Sequence, residues 1–255
     1  MANISQIAIA LKALQEVQQE TAGLVDETPQ AGADPLDAFL SIPETGLVLG
    51  LANDGQPILL DWSNPAPGPI LVTGDRGSGK TAFLQGLLQV ASLTHSPKRI
   101  QFMVVTDFPA EWSKRRFSHQ LAQVYPAYEI ATADVIFQLA SWVGVGGDDR
   151  AVFLLWDGLD AILHLLPDAQ EALRFLLLRG PAAGLWPVVT ASARQVVGQP
   201  GWLELFRTRI YGRIADPLLE TELTPLPGAN LNTLTSGGQF CMRANSRWLR
   251  FWLMR

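Results

Sequence analysis

Apolar and polar positions alternate along this chain in short blocks. Runs at 46–52, 57–62, 69–73, 101–107, 151–157 and 186–192 are five to seven residues rich in Val, Ile, Leu, Phe and Trp, the pattern of buried strands. Further strand-like runs lie at 125–131, 209–214, 239–244 and 247–253. Between them, apolar residues recur at helical spacing after Thr81, over 135–143 and over 169–178. Strands alternating with helices predict a mainly parallel sheet covered on both faces, a doubly wound α/β fold. Asn53-Asp54-Gly55 is a turn between the first two runs and predicts a β-hairpin there. The last two runs flank Asn245-Ser246 and predict a second hairpin near the C-terminus.

The N-terminal part differs. Ile4, Ile7, Ala8, Leu11, Leu14 and Val17 form one stripe and predict an amphipathic helix over residues 1–23. Residues 24–41 begin with a stretch carrying Pro29, Gly32, Pro35 and several acids, read as a linker. The main domain is expected over 42–255. A lone amphipathic helix buries its stripe only against another surface, either this domain or a partner.

Candidate chemistry centres on Gly74-Asp75-Arg76-Gly77-Ser78-Gly79-Lys80-Thr81. A buried strand precedes it and a helix follows, the setting in which this pattern forms a P-loop. Glycines let backbone amides close around phosphate oxygens at a helix N-terminus. In this reading all eight residues cradle a nucleoside triphosphate. Lys80 reaches the β- and γ-phosphates, and Thr81 ligates Mg²⁺. Asp157, at the end of the apolar run 151–157, is the expected second Mg²⁺ contact, the Walker B role. Thr190 and Ser192, at the end of the strand 186–192, are placed to sense the γ-phosphate. In parallel sheets of this kind ligands sit at the C-terminal strand ends, where Gly74, Asp107, Asp157 and Ser192 all fall.

Composition narrows the alternatives. Of 255 residues, 48% are apolar, enough for a globular core, and the formal charge of −5 argues against a general nucleic-acid coat. From Pro167 onward every basic residue is arginine. No apolar run is long enough to span a bilayer, and no secretory pattern opens the chain, so a cytoplasmic location is expected. Cys241 is the single cysteine and sits among apolar residues, as a buried free thiol does. His95, His119 and His164 have no ligand spacing. Lys114-Arg115-Arg116 reads as a solvated charge run.

Taken together these stretches resemble the motor domain of the FtsK–HerA superfamily, the RecA-like P-loop ATPases of DNA translocases, conjugation proteins and type VII secretion. The hairpin 46–62 leading into the P-loop is similar to their entry segment. Ala182-Ala183-Gly184 followed by the strand 186–192 resembles their sensor strand. Thr208-Arg209-Ile210-Tyr211-Gly212-Arg213-Ile214 resembles their arginine-bearing strand, and Gly237-Gly238-Gln239-Phe240 with the final strand resembles their closing hairpin. The resemblance spans roughly 42–253 and implies a ring or homo-oligomer with homologous ATPase subunits. It further implies ATP and Mg²⁺ as ligands, and interface arginines at Arg209, Arg213 and Arg179. DNA or polypeptide is the implied cargo.

Two departures are visible. Gly158 stands where these proteins carry a water-polarising Glu, so weak or partner-dependent hydrolysis is expected. The segments around Asp107 that grip cargo in the family are trimmed. A second resemblance, to NACHT-type signalling NTPases, rests on Asp157-Gly158-Leu159-Asp160 and gives water activation to Asp160. A third possibility is a nucleotide-held scaffold subunit that never turns ATP over.

Overall fold

A computed structural model describes residues 42–112, 120–224, 226–244 and 246–254. The expected N-terminal helix and linker, and the run Lys114-Arg115-Arg116, lie outside these residues. Among the described residues, ten strands form one sheet in the order β2-β1-β10-β9-β8-β3-β7-β6-β4-β5. The strands are β1 (Gly46–Ala52), β2 (Pro57–Asp61), β3 (Ile70–Thr73), β4 (Ile100–Thr106) and β5 (Leu121–Pro126). They continue with β6 (Ala151–Asp157), β7 (Leu185–Ala191), β8 (Thr208–Tyr211), β9 (Gln239–Ala244) and β10 (Arg247–Trp252).

From β8 through β3, β7, β6 and β4 to β5 all pairings are parallel. From β8 to β2 all are antiparallel. The two hairpins predicted at opposite ends of the domain's sequence are therefore neighbours in space. β1 reaches β10 only at Leu51 and Ala52. A register shift in β1 falls between Val48 and Gly50. A side chain on Gly50 would run into the Phe251 ring and the Trp252 carbonyl oxygen, both 2.5 Å from its Cβ position. Glycine at that bulge is what lets the hairpins join.

Helices cover the two faces. On one lies α1 (Lys80–Thr94), which buries Phe83, Leu84, Leu87 and Leu88 against the sheet. Phe83 meets Phe240 at 5.1 Å and Phe251 at 6.4 Å, so the P-loop helix packs directly on the C-terminal hairpin. The opposite face carries α2 (Ile130–Gly144), α3 (Leu159–Leu163), α4 (Pro167–Arg179), α5 (Ala193–Val197), α6 (Pro200–Leu203) and α7 (Pro217–Leu223). Alternation sorts the strands: Phe153 and Leu155 of β6 face α1, whereas Leu154 and Trp156 face the other layer.

One predicted element was misplaced. The strand expected over 125–131 is instead β5, ending at Pro126, and α2 begins at Ile130. Tyr125 and Pro126 pair with Val105 and Thr106, but Ala127-Tyr128-Glu129 turns away to start the helix. Thr132 anchors that turn by donating its hydroxyl to the Pro126 carbonyl at 2.7 Å. The short helices α3, α5, α6 and α7 carry too few turns to leave a periodic trace in sequence. Cys241 is buried and free, and burial pushes its thiol up to about 11.

Candidate nucleotide site

The strand ends converge through register. Thr73 of β3 lies opposite Ala191 of β7 and Tyr211 of β8, and Thr106 of β4 lies opposite Asp157 of β6. The loop leaving β3 is built around three backbone requirements. Gly77 and Gly79 take φ +79° and +96°, values that L side chains rarely adopt. A Cβ on Gly79 would stand 2.9 Å from the backbone of Gly237, so the loop and the turn before β9 touch main chain to main chain. Ser78 is buried with its side chain wedged between two glycines. Its Oγ lies 2.6 Å from where a Gly74 Cβ would be and 3.0 Å from where a Gly212 Cβ would be.

Asp75 staples the loop to the segment after β8. Its carboxylate accepts from the Ala215 amide at 2.7 Å, and its own amide donates to the Arg213 carbonyl at 2.9 Å. Arg76 is exposed at the loop tip. No side chain caps α1 at Gly79 and no acid sits in its first turn. Its leading amides have no intrahelical acceptors, and an anion is the partner they suit.

Lys80 folds back along the loop and donates to the carbonyls of Gly74 at 3.0 Å and Asp75 at 2.8 Å. Burial lowers its pKa below the usual lysine value, and the nearby charges of Asp157 and Asp75 oppose that shift. Thr81, one residue on, donates its hydroxyl to Asp157 Oδ2 at 2.8 Å. The other oxygen, Oδ1, accepts from Thr190 at 2.7 Å. Two hydroxyls from two elements thus fix both oxygens of one carboxylate. Hard oxygen donors in this arrangement suit Mg²⁺, and Thr81 with Asp157 would hold it.

The other predicted residues separate. Ser192 caps α5: its Oγ accepts from the Gln195 amide at 3.3 Å and donates to Gln195 Oε1 at 2.8 Å. The Ser192 amide also donates to Gln195 Oε1 at 2.9 Å, which together with the Gln195 amide bond completes a capping box and engages the hydroxyl in the helix start. Thr190, two residues earlier and on the α1 face, is the strand-end hydroxyl that reaches Asp157. Its same-face spacing from Val188 was the available sequence signal. Arg209 lies on β8 with its guanidinium donating to the carbonyls of Leu203 at 3.0 Å and Phe206 at 3.3 Å. It braces the α6–β8 turn within its own chain. Arg213 and Arg179 are exposed.

Asp160 sits in the first turn of α3, beside Asp107 at the tip of β4. Burial first, and then the charges of Asp160 and Asp157, hold the Asp107 carboxyl above the usual aspartate range. A group whose folded pKa is raised favours the fold in acid and opposes it once pH rises through that value. Asp107→Asn should therefore raise the melting temperature near pH 7. It should give no gain at about pH 3, below the unfolded carboxyl's own pKa. Equal shifts at both pH values would refute the repulsion argument.

This fold and this loop define a RecA-like P-loop domain. The resemblance to FtsK–HerA motor domains is borne out. Residues 44–109, which contain the loop, match the model of the FtsK/SpoIIIE family. Among solved structures, the chain is similar to the cytoplasmic domain of the Thermomonospora curvata type VII secretion ATPase EccC. That match has 20% identity and a TM-score of 0.62, over 87% of this chain and 30% of that one. It is similar to ATPases 2 and 3 of EssC from Geobacillus thermodenitrificans at 15% identity and TM-score 0.64, over 84% of this chain and 45% of that one. It is also similar to the pCW3 conjugation coupling protein TcpA in its monomer form with ATPγS. There the identity is 16% and the TM-score 0.62, over 86% of this chain and 68% of that one. The chain spans less than half the length of the first two. No curated protein matches the sequence. Among the described residues, no helix is long and apolar enough to cross a membrane.

Proposed function

We propose that this chain is an ATP-binding subunit of a ring-forming, translocase-type assembly, with weak hydrolysis of its own. The observation that carries the reading is the 2.8 Å hydrogen bond between Thr81 and Asp157, which joins the phosphate loop to the β6 carboxylate. These residues come from elements 76 positions apart and meet where the loop glycines and the α1 amides face. Lys80 supplies a fixed positive charge for the β- and γ-phosphates. Bound Mg²⁺ would neutralise charge on the same phosphates, held by Thr81 and Asp157, with Thr190 keeping the carboxylate oriented.

Gly158 follows Asp157 directly and offers no side-chain base. A positioned acid–base group typically contributes about 10²- to 10⁴-fold to rate, so binding outlasts turnover when it is missing. Of the three arginines that the resemblance places at an interface, Arg179 and Arg213 are exposed and free to approach a neighbouring subunit's nucleotide. An arginine supplied in trans would raise the rate only on assembly. Cargo in such an assembly would be DNA or polypeptide.

The test combines ATP turnover, with and without DNA, with mass in solution by light scattering. Expected are tight Mg·ATP binding, slow turnover by the dilute protein, and larger particles with a slowly hydrolysed ATP analogue. A protein that stays monomeric at saturating analogue would remove the assembly from this reading.

A further inference from the structure

The helical layer opposite α1 has an apolar outer surface. Ile130, Phe137 and Val145 of α2 and its C-cap, with Leu166, Phe175 and Leu178 of α4 and its N-cap, are six of the eleven exposed large apolar side chains among the described residues. The two helices pack against each other. By helical spacing, Ile130, Ala133, Phe137 and Ala140 fall on one stripe of α2, and Ala172 and Phe175 on one stripe of α4. The three alanines are partly buried against the core, whereas Phe137 and Phe175 are 44% and 38% exposed. Small residues below and rings outside make the line between the helices a shallow apolar groove. Asp134 is the one charged residue in the fifteen of α2. Helices that face water ordinarily carry charged and polar residues on that side, so α2 has the composition of a covered element.

The described chain begins at one end of this groove. Glu44 pairs with Arg99 at 3.7 Å, and the Arg99 carbonyl accepts from the Ala151 amide at 2.9 Å. Ala151 opens β6, directly after the turn that leaves α2. Ile42 and the C-terminal end of α2 therefore lie at the same end of the sheet. Ahead of Ile42 come residues 1–41, with the stripe Ile4, Ile7, Leu11, Leu14 and Val17 near their start. As the helix that this spacing predicts, Ile4 to Val17 would measure roughly 20 Å, close to the length of α2. Residues 24–41 can extend to roughly 60 Å, so the stripe reaches any part of the groove. The charged side chains of residues 1–23 are Lys12, Glu16 and Glu20, all off the stripe, which suits a groove that offers no countercharge.

We propose that residues 1–23 dock in the α2–α4 groove of their own chain, with Leu11 and Leu14 against Phe137 and Phe175. Docking takes two apolar surfaces out of water at once. A second copy of the chain laid groove to groove would cover Phe137 and Phe175 but leave the N-terminal stripe exposed. The groove lies on the sheet face opposite α1 and shares no residue with the phosphate loop, so the inference does not depend on the nucleotide reading.

The experiment uses the full chain without nucleotide and compares Leu11→Asp, Phe137→Asp and the double variant by thermal melting, with mass in solution by light scattering. On an open surface either aspartate would cost little. Docked, each should lower the melting temperature by on the order of 5 °C. The double variant should lose little more than either single one, because the first substitution already breaks the shared contact. The unmodified chain should melt at a temperature independent of its concentration. Unchanged melting of Leu11→Asp overturns the inference, and so do losses that simply add in the double variant. A dimer that melts higher at higher concentration and is abolished by Phe137→Asp gives the groove to a second copy and overturns it as well.

Discussion

Lys80→Ala should lower the affinity for Mg·ATP by on the order of 10³-fold while the protein keeps its fold. Two or three charge-assisted hydrogen bonds to phosphate oxygens, at about 1.5–3 kcal/mol each, supply a loss of that size. The fold should survive because, among the described residues, the Lys80 ammonium hydrogen-bonds only the carbonyls of Gly74 and Asp75. Its ammonium is also disfavoured by burial, so alanine removes a desolvated charge as well as two hydrogen bonds. The loop is shaped by other groups: glycines at positive φ, the Ser78 wedge, and the Asp75 carboxylate on Ala215. Calorimetric titration with ATP and Mg²⁺ measures the first effect, and thermal melting checks the second. Unchanged affinity would remove the nucleotide from this site. Lost affinity with a collapsed melting temperature would instead make Lys80 a structural residue.

The largest stability effect is expected at the centre of the α1 face of the sheet. Phe153→Ala should destabilise the protein by about 3–5 kcal/mol, the usual range for emptying a buried phenylalanine site. Phe153 is 0% exposed and is enclosed by rings from three other segments. It stacks with Phe102 of β4 at 5.2 Å and Trp186 of β7 at 6.3 Å, and meets Trp62 edge-on at 6.5 Å. Strands on both sides hold these rings, so the hole has little room to close. Domains are stable by only about 5–15 kcal/mol, so this one substitution removes a large share of the margin. A fall of on the order of 10 °C in melting temperature should follow. Trp186→Phe is the comparison. It keeps an aromatic ring and deletes an indole N–H that has no hydrogen-bond partner among the described residues, so its cost should be much smaller. Equal losses for the two variants would show that the ring stack is not what holds this face.

Much of this architecture was written locally. Buried strands of a parallel sheet are apolar on both faces, so the runs ending at Thr73, Thr106 and Asp157 stand out without any neighbour. β5 was harder to place, because its turn into α2 is made by Thr132 bonding the Pro126 carbonyl, a contact without periodicity. Ser192 and Thr190 illustrate the same limit at the site. Both are hydroxyls at the end of one strand. Only the pairing of β7 with β6, and the position of Gln195 one helical turn on, assign one to Asp157 and the other to a helix cap.

The sequence by itself determined the phosphate loop and the strand–loop–helix around it, because the glycines, Lys80 and Thr81 act through spacing along the backbone. It also determined the two hairpins and the alternation of helix and strand, which follow from local turns and from hydrophobic period. Only the tertiary structure decided that the two hairpins share one sheet edge, through a glycine bulge at Gly50 that admits Phe251. It alone decided that Asp157 is held by two threonines from different elements, and that the Asp160 carboxylate folds back over Gly158. Those contacts join residues tens of positions apart or depend on a single positive φ. Strand order and backbone turns set them, and no pattern of neighbouring residue types encodes them.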